Sequence, residues 1–129
     1  MKVFISHAHK DKDAAKSLAE KLEKMNIHPW MDEKELRPGS SWEEQIKEAV
    51  IESNVVVVVL GEGEPSPNVL VEAGMALGQG KRVLPVVLGK ESEPNVFSNL
   101  QQVYAYGDNT IDSAASQIAH MVSEYEKML

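Results

Sequence analysis

Apolar and polar residues along the chain follow two alternating periods. Lys2–Ser6 is short, apolar and β-branched, which predicts a strand. Downstream, Ala15, Leu18, Ala19 and Leu22 recur at helical spacing, so a helix should run to about Met25, capped by Asp11 or Asp13. Ile27–Met31 reads as a second strand, and Pro29 within it suggests a sheet edge. Asp32–Ser40 is a loop with Pro38-Gly39 as its turn. Ser41 and Glu44 form a capping box for a helix to about Ser53, with Trp42, Ile46, Ala49 and Val50 on its apolar stripe. Val55–Leu60 is continuously apolar, as a central parallel strand covered on both faces should be. After a loop at Gly61–Pro67, the stretch from Asn68 to about Gly78 is helical, with Gly78 and Gly80 as stop signals. Arg82–Leu88 and Val103–Tyr106 read as strands, and Asn109 or Thr110 caps a last helix reaching the C-terminus.

Strands alternating with helices imply right-handed crossovers and a parallel sheet. Five strands in 129 residues predict a single α/β domain over residues 1–129, a flavodoxin-like three-layer sandwich with helices on both faces of a five-stranded parallel sheet. Ligands in such folds sit at the carboxyl ends of the strands. Here that rim is formed by His7–Lys12, Asp32–Ser40, Gly61–Pro67 and Gly89–Asn95.

Composition narrows the function. The net charge of −7, with only two arginines (Arg37 and Arg82), disfavours nucleic acid as a partner. No apolar run is long enough to span a bilayer, and the absence of cysteine rules out disulfides and thiolate metal sites. A cytoplasmic location is the expectation.

One position stands apart. Between Glu64 and Lys81 the only ionisable side chain is Glu72, set in an apolar helix near its N-terminus. A solvated glutamate is the plainer reading, but this helix offers little obvious polar face. A lone carboxylate beside the ligand rim fits cleavage of the N-glycosidic bond of a nicotinamide nucleotide. The pyridinium leaves neutral and needs no acid, while a fixed carboxylate stabilises or traps the oxocarbenium-like centre.

VFISHAHKDKD, WMDEKELRPGSSWEEQIKEAVIESNVVVVVL and PNVLVEAGMALGQGKRVLPVVL, in that order, resemble the successive pieces of a prokaryotic TIR (Toll/interleukin-1 receptor) domain. The resemblance implies the flavodoxin-like fold, NAD+ as substrate with no cofactor, and release of ADP-ribose or a cyclic isomer, as in antiphage signalling. It places the family's catalytic glutamate at Glu72. It also implies self-association through the Asp32–Ser41 loop, and a downstream effector or partner domain. Many relatives carry tryptophan where Asn68 stands; Asn68 either orients the ligand or caps the helix. NVLVEAGMALGQGK is also similar to nucleoside deoxyribosyltransferase-like proteins, in which a helix glutamate attacks a nucleoside C1′.

The other candidate substrate-binding residues are Ser6, His7, Trp30 and Arg37. Ser6 and His7 end the first strand and suit hydrogen bonding to ribose or phosphate. Arg37 tips a basic lid, and Trp30 suits stacking on a ring. Trp42 suits the core better. His7 and His9 lack a third metal ligand, so no metal is expected. Gly78-Gln-Gly80-Lys81 lacks Walker spacing, and Ser6-His7-Ala8 and Gly61 stand where a receiver domain needs acids. The rivals are a non-enzymatic TIR interaction module and a deoxyribosyltransferase-like N-glycosidase.

Overall fold

The computed structural model describes residues 2–31, 42–63, 65–89, 97, 99–106 and 110–128, with only the backbone of 42 and 43. Five strands, β1 (Val3–His7), β2 (Pro29–Met31), β3 (Val55–Leu60), β4 (Arg82–Val87) and β5 (Val103–Tyr104), form one parallel sheet in the order β2-β1-β3-β4-β5. Among the described residues, the α-helices α1 (Lys12–Lys24), α2 (Trp42–Glu52), α3 (Pro67–Gly78) and α4 (Ile111–Met128) connect and cover them. The strand order is that of a flavodoxin-like domain, whose switch point falls between β1 and β3.

β3 is buried at every position, which is why its sequence has no alternation. Its neighbours are fixed by register, with Val3 opposite Val55 on one side and Val55 opposite Arg82 on the other. Residues alternate across the sheet, so two cores form. Val3, Ile5, Val57 and Val86 pack with α1 and α4. Phe4, Val56, Val58 and Leu60 pack with α2 and α3.

Pro29 opens an edge strand, in line with its missing N–H. Pro85 is harder to accommodate, since β4 is interior. Arg82 and Leu88 donate their N–H groups to Asn54 and Leu60, so even positions of β4 face β3 and Pro85 faces β5. Pairing with β5 starts only at Val86, so the absent donor falls beyond the ladder.

Several boundaries differ from the sequence reading for identifiable reasons. β1 runs on to His7, held by its pairing with Val59. β5 stops at Tyr104. Asp11 stands at the N-cap position of α1, but its side chain makes no capping bond. α3 starts at Pro67, and Ser66 is its N-cap, accepting from the Val69 N–H at 3.3 Å. Thr110 does cap α4, accepting from the Ser113 N–H at 3.2 Å. Ser41 and Asn109 lie outside the described residues.

Both α1 and α3 end in a Schellman motif. Gly80 (φ +72°) follows α3, with Lys81 and Gly80 donating back to Ala76 and Leu77. At α1 the left-handed residue is Asn26 (φ +65°), and Ile27 and Asn26 donate to Leu22 and Glu23. These turns aim the chain into β4 and β2.

Candidate functional site

α3 positions the carboxylate. Ser66 and Pro67 start the helix, the former through its side-chain oxygen and the latter through a pre-set φ. From Pro67 at 100° per residue, Val69, Glu72, Ala73 and Ala76 share one face, and all four are buried. Glu72 has no exposed surface (0%) and ranks among the largest fully buried side chains. It stands in the second turn, beyond the first turn over which the helix dipole mainly acts. A carboxylate placed there is costly to desolvate and must be compensated by its surroundings.

The layer that receives Glu72 contains other polar groups. α3 packs across β1, β3 and β4. On β1 the residues facing this layer are Phe4 and Ser6, because Phe4 belongs to the α2–α3 core and Ser6 lies two positions on. Ser6 is fully buried, and its Oγ makes no hydrogen bond among the described residues. A buried hydroxyl without a partner at the carboxyl end of a strand is an open donor and acceptor. Trp30 shares the face and is half-buried, stacked on Phe4 with ring centroids 5.0 Å apart.

His7 goes the other way. Its register partner is Val59, which belongs to the α1–α4 core, and its Nδ1 lies 2.9 Å from the Ala8 carbonyl. The structure therefore separates Ser6 and His7 across the sheet. Asn68 is exposed, one turn before Glu72 on the same flank of α3. Arg37 and the rest of the 32–41 loop lie outside the described residues, as does the side chain of Trp42.

A feature absent from the sequence reading closes the rim between β1 and β3. The Asp11 carboxylate accepts the Gly61 N–H at 3.2 Å. A Cβ on Gly61 would fall 1.9 Å from Asp11 Oδ1, so only glycine allows this approach. Lys10 adds a bond to the Glu62 carbonyl and lies 3.9 Å from Asp11. Beside this clamp is a cavity of about 10 Å³, lined by Ala8, Asp11, Gly61, Ser66 and Val69, and large enough for about one water. The one sequence signal was a glycine directly after a buried strand. Among the described residues, no group of three or more His, Asp and Glu is placed to hold a metal ion, and no helix is long and apolar enough to cross a membrane.

Comparison with known proteins fits this arrangement. The chain resembles the TIR domain of a Toll-related receptor from Hydra magnipapillata (TM-score 0.71, 17% identity, 96% of this chain and 95% of that one). It resembles a TIR domain from the RPS4 and RRS1 heterodimer (TM-score 0.69, 16% identity, 96% and 97%). It also resembles the CMP N-glycosidase of Clostridium botulinum (TM-score 0.64, 16% identity, 97% and 100%). No curated protein is significantly similar in sequence. The family model of the TIR domain matches residues 3–120. With that match covering nearly all of the chain, and with this sheet order, the chain belongs to the TIR domain family.

Proposed function

We propose that this TIR domain cleaves the nicotinamide N-glycosidic bond of NAD+. The observation that carries the reading is the complete burial of Glu72 on the inner face of α3, in the layer that also holds the open Ser6 hydroxyl. The C1′–N bond breaks with its electron pair going to the pyridinium nitrogen, so nicotinamide leaves neutral. The positive charge that develops at C1′ is met by the Glu72 carboxylate. Water then adds at C1′ and loses its proton, giving ADP-ribose. If a nucleophile within the ADP-ribosyl group adds instead, the product is a cyclic isomer. Ser6 and Asn68 are assigned to the substrate, together with Trp30 and Arg37 from the sequence reading; His7, on the α1–α4 side of the sheet, is left out of this set. Trp30 already spends one ring face on Phe4, so only its other face is available for stacking.

The reading extends to a cytoplasmic signalling role in prokaryotic antiphage defence. There, copies would associate through the 32–41 loop and pass the product to an effector or partner domain. Heterodimeric assembly of a TIR relative supports association in this family. The likeness to a CMP N-glycosidase favours a second reading in which the same carboxylate acts on a nucleoside or nucleotide. A domain that only binds partners is the third.

One assay separates the three. Concentrated protein is incubated with NAD+, CMP or a deoxynucleoside, and nicotinamide or free base is followed by chromatography. Nicotinamide release that Glu72→Gln abolishes supports the first reading. Base release from CMP or the deoxynucleoside alone supports the second. No release from any substrate leaves the interaction module.

A further inference from the structure

We propose that Ser6 reads the 2′-hydroxyl of the substrate ribose, so that the site takes ribosides and rejects 2′-deoxyribosides. The inference rests on the reading that C1′ of the substrate stands against Glu72. It deepens that reading whether the departing base is nicotinamide or a pyrimidine.

Ser6 is fully buried, and its Oγ has no hydrogen-bond partner among the described residues. Such a group costs stability and is uncommon. Ser53 shows the ordinary solution, since its buried hydroxyl donates to the Ala49 carbonyl at 2.6 Å. Ser6 lacks that outlet because a strand side chain stands out of the sheet, away from the ladder carbonyls.

Ser6 and Glu72 also lie at one level. Ser6 is three residues beyond Val3, the register partner of Val55, which puts it about 10 Å above the amino end of the sheet. α3 runs back towards that end and stops at Gly78, and the tight turn at 79–81 leads into Arg82, the partner of Val55 on β4. Glu72 is six residues before Gly78, about 9 Å up the helix. α3 packs against β1, and Ser6 is on the face of β1 that borders this layer. One carboxylate and one hydroxyl, both fully buried, thus share a level with Val58, Val69 and Ala73.

Sugar stereochemistry says what that hydroxyl meets. In a β-N-riboside the base leaves from one face of the ring, and the 2′- and 3′-hydroxyls lie on the other. A carboxylate that meets the charge at C1′ from the side opposite the base is on the hydroxyl face. The substituent beside C1′ on that face is O2′, and the polar group beside the carboxylate is Ser6. A serine hydroxyl both donates and accepts, so either oxygen can give the proton. A 2′-deoxyriboside brings a CH2 to this place and leaves Oγ buried and unpaired. Sites built around such a bond discriminate strongly against the analogue that lacks it.

The test compares NAD+ with the analogue lacking the 2′-hydroxyl on its nicotinamide ribose, and CMP with dCMP, on wild type and Ser6→Ala. The 2′-hydroxyl withdraws electrons and by itself slows loss of the base. Each pair is therefore read as a double ratio, in which intrinsic reactivity cancels. Ser6→Ala should lower the ribo-to-deoxy ratio of kcat/KM for the cleaved pair by about tenfold or more, nearly all of it through the ribo compound. Its urea midpoint should equal or exceed that of wild type, since a buried hydroxyl without a partner is removed; a serine needed only for folding would lower it. Binding gives a readout that needs no turnover. In Glu72→Gln, calorimetry should show the riboside of one pair binding about tenfold tighter than its deoxy partner, and adding Ser6→Ala should erase the difference. An unchanged double ratio overturns the proposal. So do equal affinities for riboside and deoxyriboside, or no binding of any of the four compounds. A Ser6-dependent preference in binding, with no base released by wild type, supports the role of Ser6 and contradicts instead the assignment of Glu72 as the cleaving group.

Discussion

The two layers that cover the sheet are built for different purposes. On one side α1 and α4 lay amphipathic helices over Val3, Ile5, Val57 and Val86, with charges outside and an interior that is apolar except for His7 at the end of β1. On the other, α2 and α3 bring Gln45, Ser53 and Glu72 into the buried set, and β1 adds Ser6 from below. The polarity of α3 is reversed: its one charge is inside and its exposed stripe is apolar. Burying polar groups works against stability unless they are satisfied, and exposing large apolar ones usually marks a contact surface. The α1–α4 layer thus holds the fold, and the α2–α3 layer gives up some stability to bury polar groups, as the proposed chemistry requires.

This contrast is broken first by truncating the stable layer. Ile118 is fully buried between α4 and the sheet, and Ile118→Ala should cost about 2–5 kcal/mol, read as a lower urea midpoint. A smaller loss is expected at the rim between the layers. Gly61→Ala forces a Cβ against Asp11 and should cost about 1–3 kcal/mol. In Asp11→Ala the carboxylate is gone, so adding Gly61→Ala should then cost less, and denaturant curves of the double-mutant cycle measure the difference.

Much of this was legible beforehand, because much of it is local. The unbroken apolar run at Val55–Leu60 announced a central strand, and Pro29 an edge. Glu72 was conspicuous because nothing else near it is charged. The Asp11–Gly61 clamp was not legible, since its partners are 50 positions apart and meet only when β1 and β3 pair. Asn26 in a left-handed turn was missed because glycine is the usual signal there. The exposed stripe of α3, Leu70, Val71 and Leu77, was not legible, because an apolar side chain in the sequence reads alike whether it is buried or exposed. Asn68 was weighed as a cap, but Ser66 lies two residues earlier and reaches Val69.

Two finer tests sharpen the contrast. Ser66→Ala removes the cap of the helix carrying Glu72 and should cost about 1 kcal/mol in denaturant stability. Lys21 and Asp112 join α1 to α4 at 2.8 Å, with Asp112 largely exposed. Lys21→Met should therefore cost under about 1 kcal/mol, and less in high salt, by the same unfolding measurement.

The central claim is that the buried carboxylate of α3 is what cleaves NAD+. The direct measurement is nicotinamide release by concentrated wild type and by Glu72→Gln, each checked for folding by its urea transition. Glu72→Gln preserves shape and removes only the negative charge. The account predicts release by wild type and none by a folded Glu72→Gln protein; a Glu72→Gln protein that releases nicotinamide at the wild-type rate would contradict it.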